Sequence, residues 1–133
     1  MPPRLASLDH LVLTVADLNK TLGFYRDVLG MHPAPFGEPE NPRWALYFGA
    51  QKINLHVQGH EFDPKAQHPL PGSADLCFLS DVALSVWQSH LARCDVPIKD
   101  GPVARTGATG PITSLYIRDP DRNLIEIAAI TPE

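Results

Sequence analysis

Cysteine is scarce in this chain. Cys77 and Cys94 are the only two among 133 residues, and they do not form a C-x-x-C pair. Two such thiols build no disulfide framework, and both are expected to be reduced and buried. Long apolar runs are absent as well. No stretch approaches the ~20 apolar residues of a membrane span, and the start, MPPRLASLDH, lacks a signal-peptide core. A cytoplasmic location is the expectation, with no membrane partner. Positive charge is in short supply: eleven Lys and Arg stand against fifteen Asp and Glu, for a net charge of −4. That balance argues against nucleic acid or an anionic membrane as the main partner. Nor is there a G-x-G-x-x-G, a G-x-x-x-x-G-K-[ST], an H-E-x-x-H or a G-x-S-x-G. Nucleotide-binding and serine-hydrolase chemistry lose most of their weight.

What is present is proline. Fourteen prolines are about twice the average share. Proline is excluded from helix interiors and central strands, so the chain must be cut into short elements and a long-helix bundle is ruled out. The composition, 44% hydrophobic and 20% charged, is that of a globular domain. A chain of this length buries about two-thirds of its unfolded surface, enough to need no covalent staples.

The prolines mark boundaries at 2–3, 33–42, 64–71, 97–111, 120 and 132. In the first half, Leu11, Leu13 and Val15 alternate with His10, Val12 and Thr14, which predicts a strand. Asp17 is placed to cap a helix with Leu18, Leu22, Tyr25 and Leu29 at helical spacing, and Gly30 to end it. Proline-rich turns follow. Trp44–Phe48 and Ile53–Val57 then read as a hairpin around Gly49-Ala50-Gln51-Lys52. Residues 59–73, with three prolines and no periodicity, read as a linker.

The order then begins again. Asp75–Leu79 reads as a strand. Asp81 is placed to cap a helix whose Leu84, Trp87, Leu91 and Cys94 share a face, and Pro97 stops it. Residues 97–112 read as a strand and a Gly-rich loop. Ser114–Ile117 and Leu124–Ala128 read as strands around a turn at 118–123. Each half is thus expected to be β-α-β-β-β, and the halves echo each other residue by residue. Ala45-Leu46-Tyr47-Phe48 aligns with Ser114-Leu115-Tyr116-Ile117, His10 with Asp75, and His56 with Glu126.

Strand parity then sorts the polar residues. His10, His56, Asp75 and Glu126 each oppose the apolar residues of their own strand. Four such groups on one concave surface would suit a divalent metal, and imidazole with carboxylate fits Zn, Ni, Fe, Mn or Co. Taken singly, a polar residue on a half-buried strand is more often solvated than ligating. Their joint placement in the repeat is what raises the metal reading. Tyr47 and Tyr116 fall on the same faces and are candidates for substrate contact. Arg43, Trp44, Arg105, Thr106 and Thr109 flank them, with turn chemistry or surface charge as the plainer reading. His60 and His68 in the linker, and His90 off the apolar helix stripe, are expected to be exposed. His32 follows a helix end, where an imidazolium suits the dipole. Trp87 is expected in the core.

The β-α-β-β-β repeat, with LDHLVLTVADL and FYRDVLGM at the front and RDPDRNLIEI at the back, strongly resembles the vicinal oxygen chelate superfamily. That superfamily holds glyoxalase I, extradiol dioxygenases, fosfomycin-resistance enzymes and bleomycin-resistance proteins. The likeness covers about residues 6–130. The motifs KINLHV, HPLPGSADLCFL and GPVARTGATGPI look closer still to the subgroup of glyoxalase domain-containing protein 5 and its bacterial relatives. The resemblance implies an α+β fold in which two βαβββ modules form a curved, cup-shaped mixed sheet. It implies one domain over 1–133, made of a first module at 6–58, a linker at 59–73 and a second module at 74–130. It also implies a homodimer, in which sites are built by modules from one chain or two.

The family's metal ligands come from the first and last strands of each module, here His10, His56, Asp75 and Glu126. His10 and Glu126 match typical ligands. His56 stands where glyoxalase I has a carboxylate, and Asp75 where many members have His. The implied activity is that of a divalent-metal-dependent lyase or isomerase on a small oxygen-bearing substrate, through an enolate or oxyanion stabilised by the metal, with Glu126 as the first candidate for general base. The alternatives are a non-enzymatic, antibiotic-type binding protein and an extradiol-type dioxygenase.

Overall fold

The computed structural model describes residues 1–131, and the chain divides into two compact units between Leu70 and Pro71. Each unit is one βαβββ module. The first holds β1 (His10–Val15), α1 (Leu18–Asp27), β2 (His32–Phe36), β3 (Arg43–Phe48) and β4 (Gln51–Val57). The second holds β5 (Asp75–Leu79), α2 (Leu84–Arg93), β6 (Asp100–Thr106), β7 (Pro111–Arg118) and β8 (Leu124–Ile130). Each module forms a four-stranded mixed sheet, in the orders β1-β4-β3-β2 and β5-β8-β7-β6. The first and last strands of a module run parallel and the other pairs antiparallel. This is the expected α+β architecture, and residues 59–73 between the sheets carry no strand or helix.

In the first module the apolar set of β1 turns inward as parity requires: Leu13 and Val15 are buried while His10 and Val12 are exposed. α1 starts where Asp17 accepts a hydrogen bond from the Lys20 N–H at 3.0 Å. It ends in a Schellman-type closure. Gly30, at φ +73°, donates to Arg26, and the Met31 N–H reaches back to Tyr25. Thr21 and Tyr25 are its buried residues, Val28 is buried at its C-cap, and Leu18, Leu22 and Leu29 are half-buried.

Four expectations give way here. The proline-rich turns after α1 contain a strand, because β2 carries Pro33 and Pro35. β2 is an edge strand, and its prolines alternate with His32, Ala34 and Phe36. Both missing N–H groups can therefore fall on the open side while the alternate residues pair with β3. Pro102 obeys the same rule in edge strand β6, and Pro111 is the first residue of β7. In the second module Asp81 does not cap α2. The N-cap is Ala83 with no side-chain bond, and Ser80 does the local polar work. Its Oγ accepts from the Val82 N–H at 3.1 Å and from Trp87 Nε1 at 2.8 Å. Trp87 is half-buried rather than core, and His90 is half-buried too, edge-on to the Trp87 ring.

The β7–β8 turn is a built structure. Asp119 accepts from the Asp121 and Asn123 N–H groups and from Asn123 Nδ2, all within 2.9 Å. Both Asp119 and Asn123 are buried. Asn123 Oδ1 then accepts from the Ala74 N–H at 2.9 Å, and the Leu124 N–H donates to the Ala74 carbonyl. The motif RDPDRN thus clamps the start of β5 onto β8, and that clamp sets which β5 residues stand beside Glu126.

Candidate functional site

On the first module's polar face, the strand register arranges side chains in three rows across the sheet. One row is Phe36, Arg43, His56 and Thr14. The next is Ala34, Ala45, Asn54 and Val12. The third is His32, Tyr47, Lys52 and His10. His10 is exposed, and its Nδ1 lies 2.9 Å from the Asp9 carboxylate. A carboxylate only accepts, so Nδ1 carries a proton and donates to Asp9. His56 is buried at 3% exposure, and Arg43 Nη2 stands 3.3 Å from its Nε2. A guanidinium only donates, so His56 Nε2 is an acceptor here and the ring is neutral. Burial holds the His56 pKa below its ordinary value, and the Arg43 charge lowers it further. Arg43 itself is stacked between Phe36 and Phe62, with centroid distances of 5.3 and 4.7 Å. Asn54 is also buried, and its Oδ1 has no hydrogen-bond partner.

On the second module's polar face, β8 presents Glu126 between Cys77 of β5 and Tyr116 of β7. Ser114 Oγ donates to Glu126 Oε2 at 2.5 Å. Arg105 Nε donates to the Tyr116 hydroxyl at 3.0 Å, and the guanidinium lies over that ring. Asp75, at the start of β5, is exposed on the same face. A cavity of about 410 Å³ opens beside Glu126 and is lined by Cys77, Leu79, Ile112 and the Arg105–Thr109 segment. Cys77 is exposed, not buried as its scarcity suggested. Its thiol is pushed up to about 11, first by the part of it tucked against the sheet, then by the Glu126 charge and a hydrogen bond to that carboxylate. Sequence reasoning missed Cys77, although its parity with Asp75 places it on this face.

The ladders also revise the repeat. Opposite His10 stands Lys52, and opposite Asp75 stands Leu124. With His10 and Asp75 equivalent, the counterpart of Glu126 is therefore Asn54, not His56. By the same count Tyr116 corresponds to Ala45 rather than to Tyr47. The turns explain the slip, since Gly49-Ala50 closes one hairpin and residues 119–123 close the other. Among the described residues, no group of three or more His, Cys, Asp and Glu is gathered to hold a metal ion.

A family model described as the Glyoxalase/Bleomycin resistance protein/Dioxygenase superfamily matches residues 7–127. The chain belongs to that superfamily. Among its relatives, the virulence protein STM3117 of Salmonella typhimurium is 54% identical over 121 residues, 91% of this chain and 82% of that protein. The glyoxalase domain-containing protein RDO1 of Mycosarcoma maydis is 53% identical, over 92% of this chain and 68% of its own length. A solved structure from the mobile metagenome of V. Pseudocholerae superposes with a TM-score of 0.94 at 53% identity, covering 99% of this chain and all of that one. These relatives support membership in the superfamily rather than in the subgroup of glyoxalase domain-containing protein 5.

Proposed function

We propose that this superfamily member is a divalent-metal-dependent lyase or isomerase of the glyoxalase-like kind, acting on a small substrate with neighbouring oxygens. The candidate donors are His10 and His56 in the first module and Asp75 and Glu126 in the second. Two imidazoles and two carboxylates suit Ni, Zn, Fe, Mn or Co. The observation that supports this best is that donors on both polar faces are held by a second residue. Asp9 holds His10 at Nδ1, and Ser114 holds Glu126 at Oε2. Support of that kind is characteristic of metal ligands. His56 fits less well, because Arg43 already occupies its Nε2 and a second cation there is opposed. Asn54, with its unpartnered Oδ1 at the ladder position of Glu126, is the competing donor.

Once bound, the ion would supply Lewis-acid stabilisation of negative charge on the substrate oxygens. Released from the ion, Glu126 would act as general base at Oε1, since Ser114 holds Oε2. The Tyr116 hydroxyl accepts from Arg105, so its own proton is left to donate to a substrate oxygen. Tyr47 and Arg43 would contact substrate from the first module.

Metal analysis of protein purified without chelator tests this reading, together with melting curves in Ni, Zn, Mn and Fe. At least one ion should bind and raise Tm by several degrees, as ~2.7 kcal/mol at a hundredfold excess over Kd requires. His10→Ala and Glu126→Gln should abolish the gain, and comparing His56→Ala with Asn54→Leu identifies the remaining donor. No bound ion and no gain with any metal would sink the proposal. A second reading, non-enzymatic binding of an antibiotic-type small molecule, is favoured by the hold of Arg43 on His56. It wins if ligand binding survives both His10→Ala and Glu126→Gln and no turnover exists to lose.

A further inference from the structure

The first module's polar face carries two cations, Arg43 and Lys52, with no ion-paired carboxylate among the described residues. Lys52 starts in the third row, yet its Nζ lies 4.0 Å from the Phe36 ring centroid in the first row. The Arg43 guanidinium faces the same ring. Of the two carboxylates whose charge reaches His56 beside Arg43, Glu61 is committed to the Gly59 N–H at 2.6 Å and to Lys65, and Asp63 forms no ion pair among the described residues. Arg43 Nε is buried with no acceptor. Two aromatic faces hold the guanidinium plane, but a ring face does not satisfy an in-plane N–H. Two like charges drawn to one ring, with a buried donor left over, are arranged for something absent from the chain itself.

We propose that Arg43 and Lys52, set around Phe36, bind an oxyanion of the substrate, a carboxylate or a phosphoryl group. The inference rests on the functional reading above only in taking this face to be the substrate's. It adds the substrate's charge and does not depend on a metal. An oxyanion would accept from the Arg43 guanidinium and from Lys52 Nζ, with Phe36 as the apolar wall behind it.

The test is calorimetric titration of the full chain in chelator at constant ionic strength, once with inorganic phosphate and once with benzoate. At least one anion should bind saturably, and which one binds tells a phosphoryl from a carboxylate substrate. Lys52→Gln and Arg43→Gln should each weaken binding about tenfold or more. Lys20→Gln makes the same charge change on the exposed side of α1 and should leave binding unchanged. If Arg43→Gln fails to fold by circular dichroism, Lys52→Gln alone decides. The proposal is overturned if neither anion binds, if Lys52→Gln has no effect, or if Lys20→Gln weakens binding as much. Because metal is removed, failure here leaves the metal reading standing, and failure of metal binding leaves this one.

Discussion

His56 and Cys77 show how a neighbour across the sheet sets a side chain's chemistry. Arg43 keeps His56 neutral by donating to it and by its charge, on top of the effect of burial. Replacing Arg43 with Gln should therefore raise the His56 pKa, read by NMR titration of the ring protons. The sign for stability follows. The fold opposes protonation, so the unfolded chain takes up more protons as pH falls below His56's ordinary value of 6.5. The His56 contribution is full above that value and is lost as pH drops through the lowered folded pKa. The urea midpoint should fall between pH 7 and pH 5, and fall less in Arg43→Gln. Cys77 is the opposite case, a thiol kept protonated first by its partial burial against the sheet and then by the Glu126 carboxylate. Iodoacetamide at pH 7.5 should modify it slowly, and Glu126→Gln should speed the reaction, as followed by mass spectrometry. Parity in the sequence placed His56 and Glu126 on the polar faces. It was silent on what Arg43 does to His56 and what Glu126 does to Cys77, because both effects act between strands.

Among the elements, the strands at the sheet edges and the clamped turn decide most. The sequence marked element boundaries by proline, which held at 59–73 but failed at 33 and 35, since an edge strand tolerates what a central strand excludes. The turn at 118–123 was legible as a turn. Its grip on Ala74 was not, because that bond joins residues 49 apart in the chain. β6 depends on Gly101, whose φ is +103° where the register against β7 shifts between Asp100 and Val103. A Cβ there would collide with the Ser114 carbonyl oxygen. Gly101→Ala should cost at least about 2 kcal/mol, measured by urea unfolding, with loss of the Ser114–Glu126 arrangement as a secondary effect. An unchanged midpoint would contradict the close approach of β6 to β7.

For the whole molecule, the repeat is the organising fact: two modules, each with its own four-stranded sheet, joined by a segment without regular structure. Within residues 10–131, trypsin should cut first after Lys65, an exposed residue in that segment, with the products identified by mass. A first cut after Arg105 would instead mark the β6–β7 end as the weaker point. Alone, the sequence determined the order of the elements other than β2 and the face on which each polar residue lies. Both are local properties: alternation has a period of two, and caps and turns act within a few residues. Only the tertiary structure decided the row. Register across strands is set by turn length and by the hydrogen-bonded ladder, and a slip of two residues leaves parity intact. That is why His56 could stand in for Asn54 in the sequence while sharing its face, and why the cation pair at Phe36 emerged only once the strands were laid side by side.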